Sequence, residues 1–293
     1  MNDKLKGILL LIAAVTGFGV VDGLSKVMIE TLSFGQVVLA RYALALPVLL
    51  LATRPADWRG LFRTKLLTWQ IIRGIIPVVI GGSMVFAVKY LPLAEATVIL
   101  FAGPFFVVAL SGWLLGERVG GSSWIGVLIG FLSVLIVARP GFSAVSLYTI
   151  FPAIGAVFYA AFQLLTRHLG NAGEAPTTTL AWTLVVGNLV GLPLAFSAWM
   201  PQTPETWFLC FCLGVVFGFA QLLLAKAFSL APASVLTPFS YVQILSAIVF
   251  GLLVFHDIPD RWTLTGIAMI VGAGLYVFGR NAPGRAEMPP SSS

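Results

Sequence analysis

Residues 89–118 read KYLPLAEATVILFAGPFFVVALSGWLLGER, and residues 229–258 read SLAPASVLTPFSYVQILSAIVFGLLVFHDI. Superposed at a spacing of 140 positions, Pro92 meets Pro232, Thr97 meets Thr237, Phe101 meets Tyr241 and Glu117 meets Asp257. The match runs outward from there. Gly74 meets Gly214 and Gly126 meets Gly266 at the same spacing, while at 141 Phe18 meets Tyr159, Asp22 meets Gln163 and Lys26 meets Arg167. The chain is thus read as an internal duplication.

Composition says what is duplicated. Of 293 residues 59% are hydrophobic and only 10% charged, with a mean hydropathy of +1.00. Soluble domains carry roughly 25% charged residues, and a soluble chain of this size has no way to coat so much apolar surface. A soluble enzyme, a disordered chain and a secreted disulfide scaffold are excluded. The two cysteines, Cys210 and Cys212, point away from each other on a helix and read as small apolar residues.

A hydrocarbon core of ~30 Å takes about 20 helical residues. Ten segments qualify, at about 5–30, 34–53, 67–90, 92–115, 122–139, 146–168, 177–198, 205–230, 232–255 and 261–280. Lys4 and Lys6 before an apolar run imitate a signal peptide, but a similar helix recurs mid-chain, so the first segment is read as a retained span. Five spans per repeat is odd, so the second repeat enters the membrane from the opposite side. The expected fold is an all-α integral membrane protein of ten transmembrane helices in two inverted five-helix repeats, 1–140 and 141–280, followed by a loose Pro- and Ser-rich tail, 281–293.

The net charge of +6 sets orientation and does not signal nucleic acid. Lys4, Lys6, Arg54, Arg59, Arg63, Lys65, Arg118, Arg167, Arg280 and Arg285 fall on one side, against Arg139 and Arg261 on the other, with Lys89 at its rim. The positive-inside rule then places both termini in the cytoplasm.

Two inverted halves supply two near-equivalent states, one open to each side, as a carrier needs. The segments Lys89–Ala94, Gly103-Pro104, Leu115–Arg118 and Gly126, with Ala227–Ser234, Phe255-His256-Asp257 and Gly266 in the other half, resemble the drug/metabolite transporter superfamily, EamA type. The second half departs from the family's Gly-Glu pair with His-Asp. The resemblance covers about residues 8–279 and implies a central cavity lined by the first, third, fourth, sixth, eighth and ninth helices, the fifth and tenth serving as outer scaffold. The aromatic content is similar to that of the bacterial aromatic amino acid exporters of YddG type.

Polar groups at membrane depth need a reason. Asp22 stands four residues before Lys26 on one helix face. It is read either as Lys26's ion-pair partner or as a carboxylate on the transport path, meeting a substrate ammonium or carrying a proton. Arg41 snorkels outward or pairs with Asp22 or Glu95. Glu95 suits a helix N-terminus, and Lys89 and Lys226 read as rim residues. A second group pairs a ring with a polar side chain at a spacing of four: Phe18 with Asp22, Thr97 with Phe101, Tyr159 with Gln163, and Thr237 with Tyr241. Gln221 and Gln243 are further cavity candidates, and Ser83 follows the small residues Gly81 and Gly82. These eleven residues, from Phe18 to Gln243, form the candidate substrate site, against ordinary helix packing with polar glue. Pro47, Pro77, Pro104, Pro152, Pro193 and Pro238 interrupt helices and are candidate hinges.

No phosphate loop, zinc-binding His-Glu-x-x-His, Cys/His cluster or Gly-x-Ser-x-Gly elbow occurs, so no ATP hydrolysis, metal, cofactor or catalytic residue is expected. His168 and His256 read as surface residues at membrane boundaries. The reading is an inner-membrane secondary transporter exporting small organic metabolites, with aromatic or neutral amino acids favoured over multidrug or other metabolite export. An intramembrane enzyme and a channel are remote alternatives. Its partners are the substrate and the lipid bilayer; proton coupling would run through Asp22, and the oligomeric state is left open.

Overall fold

The computed structural model describes residues 3–103, 105–107, 110, 121–138, 144–231 and 236–281, without the side chains of residues 122, 123, 138, 144–146, 167, 237, 238 and 277–281. Pro104, the Leu115–Arg118 motif, Pro232 and the tail from residue 282 lie outside the described residues.

The described chain is helical, and each expected span has a counterpart. The first span is Asp3–Met28, the second Phe34–Ala43 with Ala45–Ala52, the third Leu67–Tyr90 and the fifth Gly121–Ala138. The fourth opens as Leu93–Leu100. The sixth is Ile150–Asn171, the seventh Pro176–Ser197 and the eighth Pro204–Leu230. The ninth strings together a 3-10 turn Thr237–Tyr241, the α-helix Val242–Phe250 and a π-turn Gly251–Phe255, and Arg261–Asn281 is the tenth. Six of these helices are long and apolar enough to cross a membrane by length and composition.

Sequence chemistry explains the ends and the breaks. Ser33 caps the second span with a capping box through Gln36, and Thr203 does the same for the eighth through Thr206. Pro47 offers no N–H to the carbonyl of Ala43, where the second span breaks. The α-helix of the fourth span stops at Leu100, with Phe101 as its C-cap. The ninth span is likewise interrupted, with Tyr241 at the end of its 3-10 turn. Phe101 and Tyr241 therefore both stand at broken backbone.

The two halves interleave. The first span packs on the eighth as the sixth packs on the third, and the first packs on the ninth as the sixth packs on the fourth. The second meets the seventh and the fifth meets the tenth. Each pairing maps onto itself or onto another when the halves are exchanged, which is the signature of a pseudo-two-fold axis. Tryptophans mark the two membrane faces. Trp58, Trp69 and Trp124 are exposed at one end of the bundle, and Trp199, Trp207 and Trp262 at the other. Leu128, Leu189, Phe211 and Leu253, all exposed, present apolar surface to lipid between them.

Close approach of the second and seventh spans depends on Gly35. A Cβ there would collide with the backbone carbonyl of Leu194, which has no freedom to retreat. Gly35→Val is expected to cost ~3 kcal/mol in a detergent-denaturation titration. Gly60→Val, with open space around it, should stay within about 0.5 kcal/mol of the parent.

Candidate functional site

Polar side chains collect at three levels of the bundle. At the outer level, in the orientation read from the charges, Arg41 donates from Nη2 to Asp22 Oδ1 at 2.8 Å and to Ser25 Oγ at 2.9 Å. Ser25 is itself turned by donating its hydroxyl to the Val21 carbonyl. Both members of the ion pair are only 6% exposed. Gln243, from the ninth span, also hydrogen-bonds Asp22. Arg41 Nε finds no partner among the described residues, and Gly81 leaves the space the guanidinium fills.

The structure corrects the expected Asp22–Lys26 pair. Lys26 reaches Asp257 Oδ2 at 2.6 Å instead, with its ammonium 4.4 Å from the centre of the Phe255 ring. One turn of helix separates Lys26 from Asp22, enough to carry the ammonium to the end of the bundle. There the π-turn and the left-handed backbone of His256 (φ 55°) bring Asp257 round to meet it. The alternative Asp22–Arg41 pairing is the one the structure shows.

At the middle level the rings of the two interrupted spans meet. Phe101 and Tyr241 lie 5.8 Å apart, tilted at 45°. The Tyr241 hydroxyl sits against Gly274, where any side chain would displace it. Tyr159 lies within electrostatic reach of Tyr241 and packs its ring on Gly103. Gln163 donates from Nε2 to the Tyr159 hydroxyl at 2.8 Å. Phe101, Tyr159 and Gln163 are half-buried.

Other candidates lie apart from this group. Thr97 is buried and donates to the Leu93 carbonyl. Ser83 donates to the Ile80 carbonyl and packs against Gly155 between the third and sixth spans. Phe18 stands edge-on to Phe217, 6.1 Å away, in the core shared with the second and eighth spans. Gln221 is half-buried on the eighth span. The side chain of Thr237 lies outside the described residues.

The inner level escaped the sequence reading. Arg73, six residues into the third span, donates from Nε to Thr166 Oγ1 at 2.8 Å and from Nη1 to Thr183 Oγ1 at 2.7 Å and the Thr179 carbonyl at 3.3 Å. Its guanidinium lies 4.2 Å from the centre of the Phe162 ring. Nearer the membrane surface Glu174 accepts from Gln70 Nε2 at 3.0 Å and the Lys65 N–H at 3.1 Å. Desolvation alone would raise this carboxyl, but hydrogen bonds from Thr64, Lys65 and Gln70, with the Lys65 charge, hold it below the usual carboxylate range. An arginine inside an apolar span was the available signal for this level.

Two exchangeable halves with rings and polar groups gathered at interrupted helices make a membrane carrier. The chain belongs to the EamA-like transporter family, whose pattern matches residues 5–139 and 147–279. It is similar to a riboflavin transporter of Vibrio cholerae serotype O1, 29% identical over 276 residues that span 92% of each chain. A pseudopaline exporter, CntI, of Pseudomonas aeruginosa strain UCBPP-PA14 is 30% identical over 274 residues, 92% of this chain and 95% of the relative. An S-adenosylmethionine uptake transporter of Rickettsia prowazekii strain Madrid E is 23% identical over 281 residues, covering 94% and 95%. A solved crystal structure superposes with a TM-score of 0.64 at 16% identity, over 92% of this chain and 95% of that one, which shows a shared fold. This protein is a multi-pass membrane transporter of small metabolites and not an enzyme.

The buried ion pair gives a direct test. Asp22→Asn strands Arg41 without its counter-ion and is expected to cost ~3 kcal/mol of stability. Combining it with Arg41→Gln should recover more than half of that loss in the same denaturation titration.

Proposed function

We propose that this chain exports aromatic or neutral amino acids by alternating access across a bacterial inner membrane, with both termini in the cytoplasm. The observation that carries the reading is the meeting of Phe101 and Tyr241, one from the interrupted span of each half, with Tyr159 and Gln163 beside them. Rings offer stacking area to an apolar side chain, and the tyrosine hydroxyls and glutamine amide offer hydrogen bonds to a polar head. Rocking of the halves about this level exposes it to each side in turn. Asp22 is engaged by Arg41, Ser25's neighbour, and by Gln243, so in this reading it holds the bundle together rather than carrying the proton. A second reading is favoured by the riboflavin transporter among the relatives: a wider heteroaromatic substrate stacked on the same rings.

Proteoliposome uptake of labelled tryptophan, leucine, riboflavin and a cationic dye, with and without a pH gradient, tests both. Tryptophan and leucine uptake supports amino acid transport; riboflavin uptake alone supports the second reading; dye uptake alone points to multidrug export and sinks both. Tyr241→Ala and Phe101→Ala should each raise the half-saturation constant for the aromatic substrate about fivefold, or ~1 kcal/mol. Leu135→Ala, on the exposed face, should change it little. For orientation, Arg59→Cys should react with an impermeant thiol reagent only after cells are opened; labelling in intact cells would reverse it.

A further inference from the structure

We propose that Arg73 is the anion-binding residue of the transport path and takes the substrate's carboxylate. The proposal rests on the amino acid reading above and adds the element that reading lacks, a charged group for the charged end of the substrate.

Among the described residues two arginines are buried, Arg41 and Arg73, and they are treated differently. Arg41 has a carboxylate built in, at 2.8 Å. Arg73 is 8% exposed and forms no ion pair among the described residues. Its acceptors are all neutral: two threonine hydroxyls and one backbone carbonyl. A guanidinium has five N–H donors. Nε and Nη1 are engaged, while Nη2 makes no hydrogen bond among the described residues. A cation kept at membrane depth without a counter-ion is costly, so an arriving anion gains both a charge partner and a free donor pair.

The surroundings hold the fork still. Thr166 gives its own proton to the Phe162 carbonyl and Thr183 gives its own to the Thr179 carbonyl, so each oxygen turns a lone pair to the guanidinium. The Phe162 ring supports the guanidinium 4.2 Å away. This is a preformed fork of the kind that recognises carboxylates. Its place suits the substrate, because Thr166 follows Gln163 by three residues on the sixth span, a rise of about 4.5 Å. Thr166, which holds Arg73, thus stands roughly one turn beyond Gln163 and about two beyond Tyr159 on the same span, and the assignment places the carboxylate there when the ring of the substrate lies among Phe101, Tyr159 and Tyr241.

Binding to the purified full-length protein, measured at constant ionic strength, tests the assignment with four probes: tryptophan, indole-3-propionate, the methyl ester of indole-3-propionate, and propionate. Wild type should bind tryptophan and the acid at least tenfold more tightly than the ester. Arg73→Gln should lose roughly that factor for tryptophan and the acid while leaving the ester unchanged, and Arg73→Lys should fall between. A merely structural arginine would weaken acid and ester alike. Equal binding of acid and ester by wild type, or an unchanged acid affinity in Arg73→Gln, overturns the assignment and leaves the ring site standing. Propionate binding that depends on Arg73, with no binding of the indole compounds, keeps Arg73 and overturns the aromatic reading. Binding of no probe overturns both. Should Arg73→Gln fail to fold, the acid-to-ester ratio in wild type and Arg73→Lys decides.

Discussion

No water waits inside a bilayer to solvate a charge, so each charged side chain there must be answered by the protein itself or by what the protein carries. That constraint organises this molecule. Asp22 and Arg41 answer each other where the first two spans cross, with Ser25 and Gln243 filling out the carboxylate and guanidinium. Lys26 finds Asp257 across the bundle. The small residues of the third span make room for these contacts, as Gly81 does for Arg41. The Asp22–Arg41 pair is buried within the bundle and the Lys26–Asp257 pair is part-buried at its end, while the exposed faces carry leucine and phenylalanine.

The same constraint governs where helices break. Free backbone groups are tolerated only inside the protein, and the interruptions at Leu100 and around Tyr241 fall where spans of opposite halves meet. A break releases the regular spacing of side chains and lets a ring swing toward its counterpart. Phe101 and Tyr241, aligned in the duplication, come together for this reason. Glycine completes the arrangement from the other side, with Gly103 receiving the Tyr159 ring and Gly274 the Tyr241 hydroxyl.

The architecture was legible because period and hydropathy are written along the chain: Pro92 against Pro232 and Gly74 against Gly214 need no third dimension. The break in the second span was legible from Pro47. Side-chain pairing was much less so. Spacing alone made Lys26 the natural partner of Asp22, since four residues place two side chains on one face. It could not show that Asp257, 231 positions away, would be folded back by a π-turn. The four ring-and-polar pairs had equal standing in sequence, yet Thr97 gives its hydroxyl proton to the Leu93 carbonyl while Gln163 donates to the ring hydroxyl of its own pair, each within a single helix. Arg73 was overlooked because its partners are threonines scattered over two later spans, which carry no charge pattern to read.

The separation of partners along the chain also has a bearing on biosynthesis. Asp22 and Arg41 lie 19 positions apart, in consecutive spans. A hairpin of two apolar helices leaving the ribosome can therefore enter the lipid with its acid and base already cancelled, before any later segment exists. Lys26, by contrast, must wait for nearly the whole polypeptide to be made before Asp257 arrives. Of these two pairs between spans, one belongs to insertion and the other to completion, and the second seals the first span to the last part of the chain only when translation is almost done.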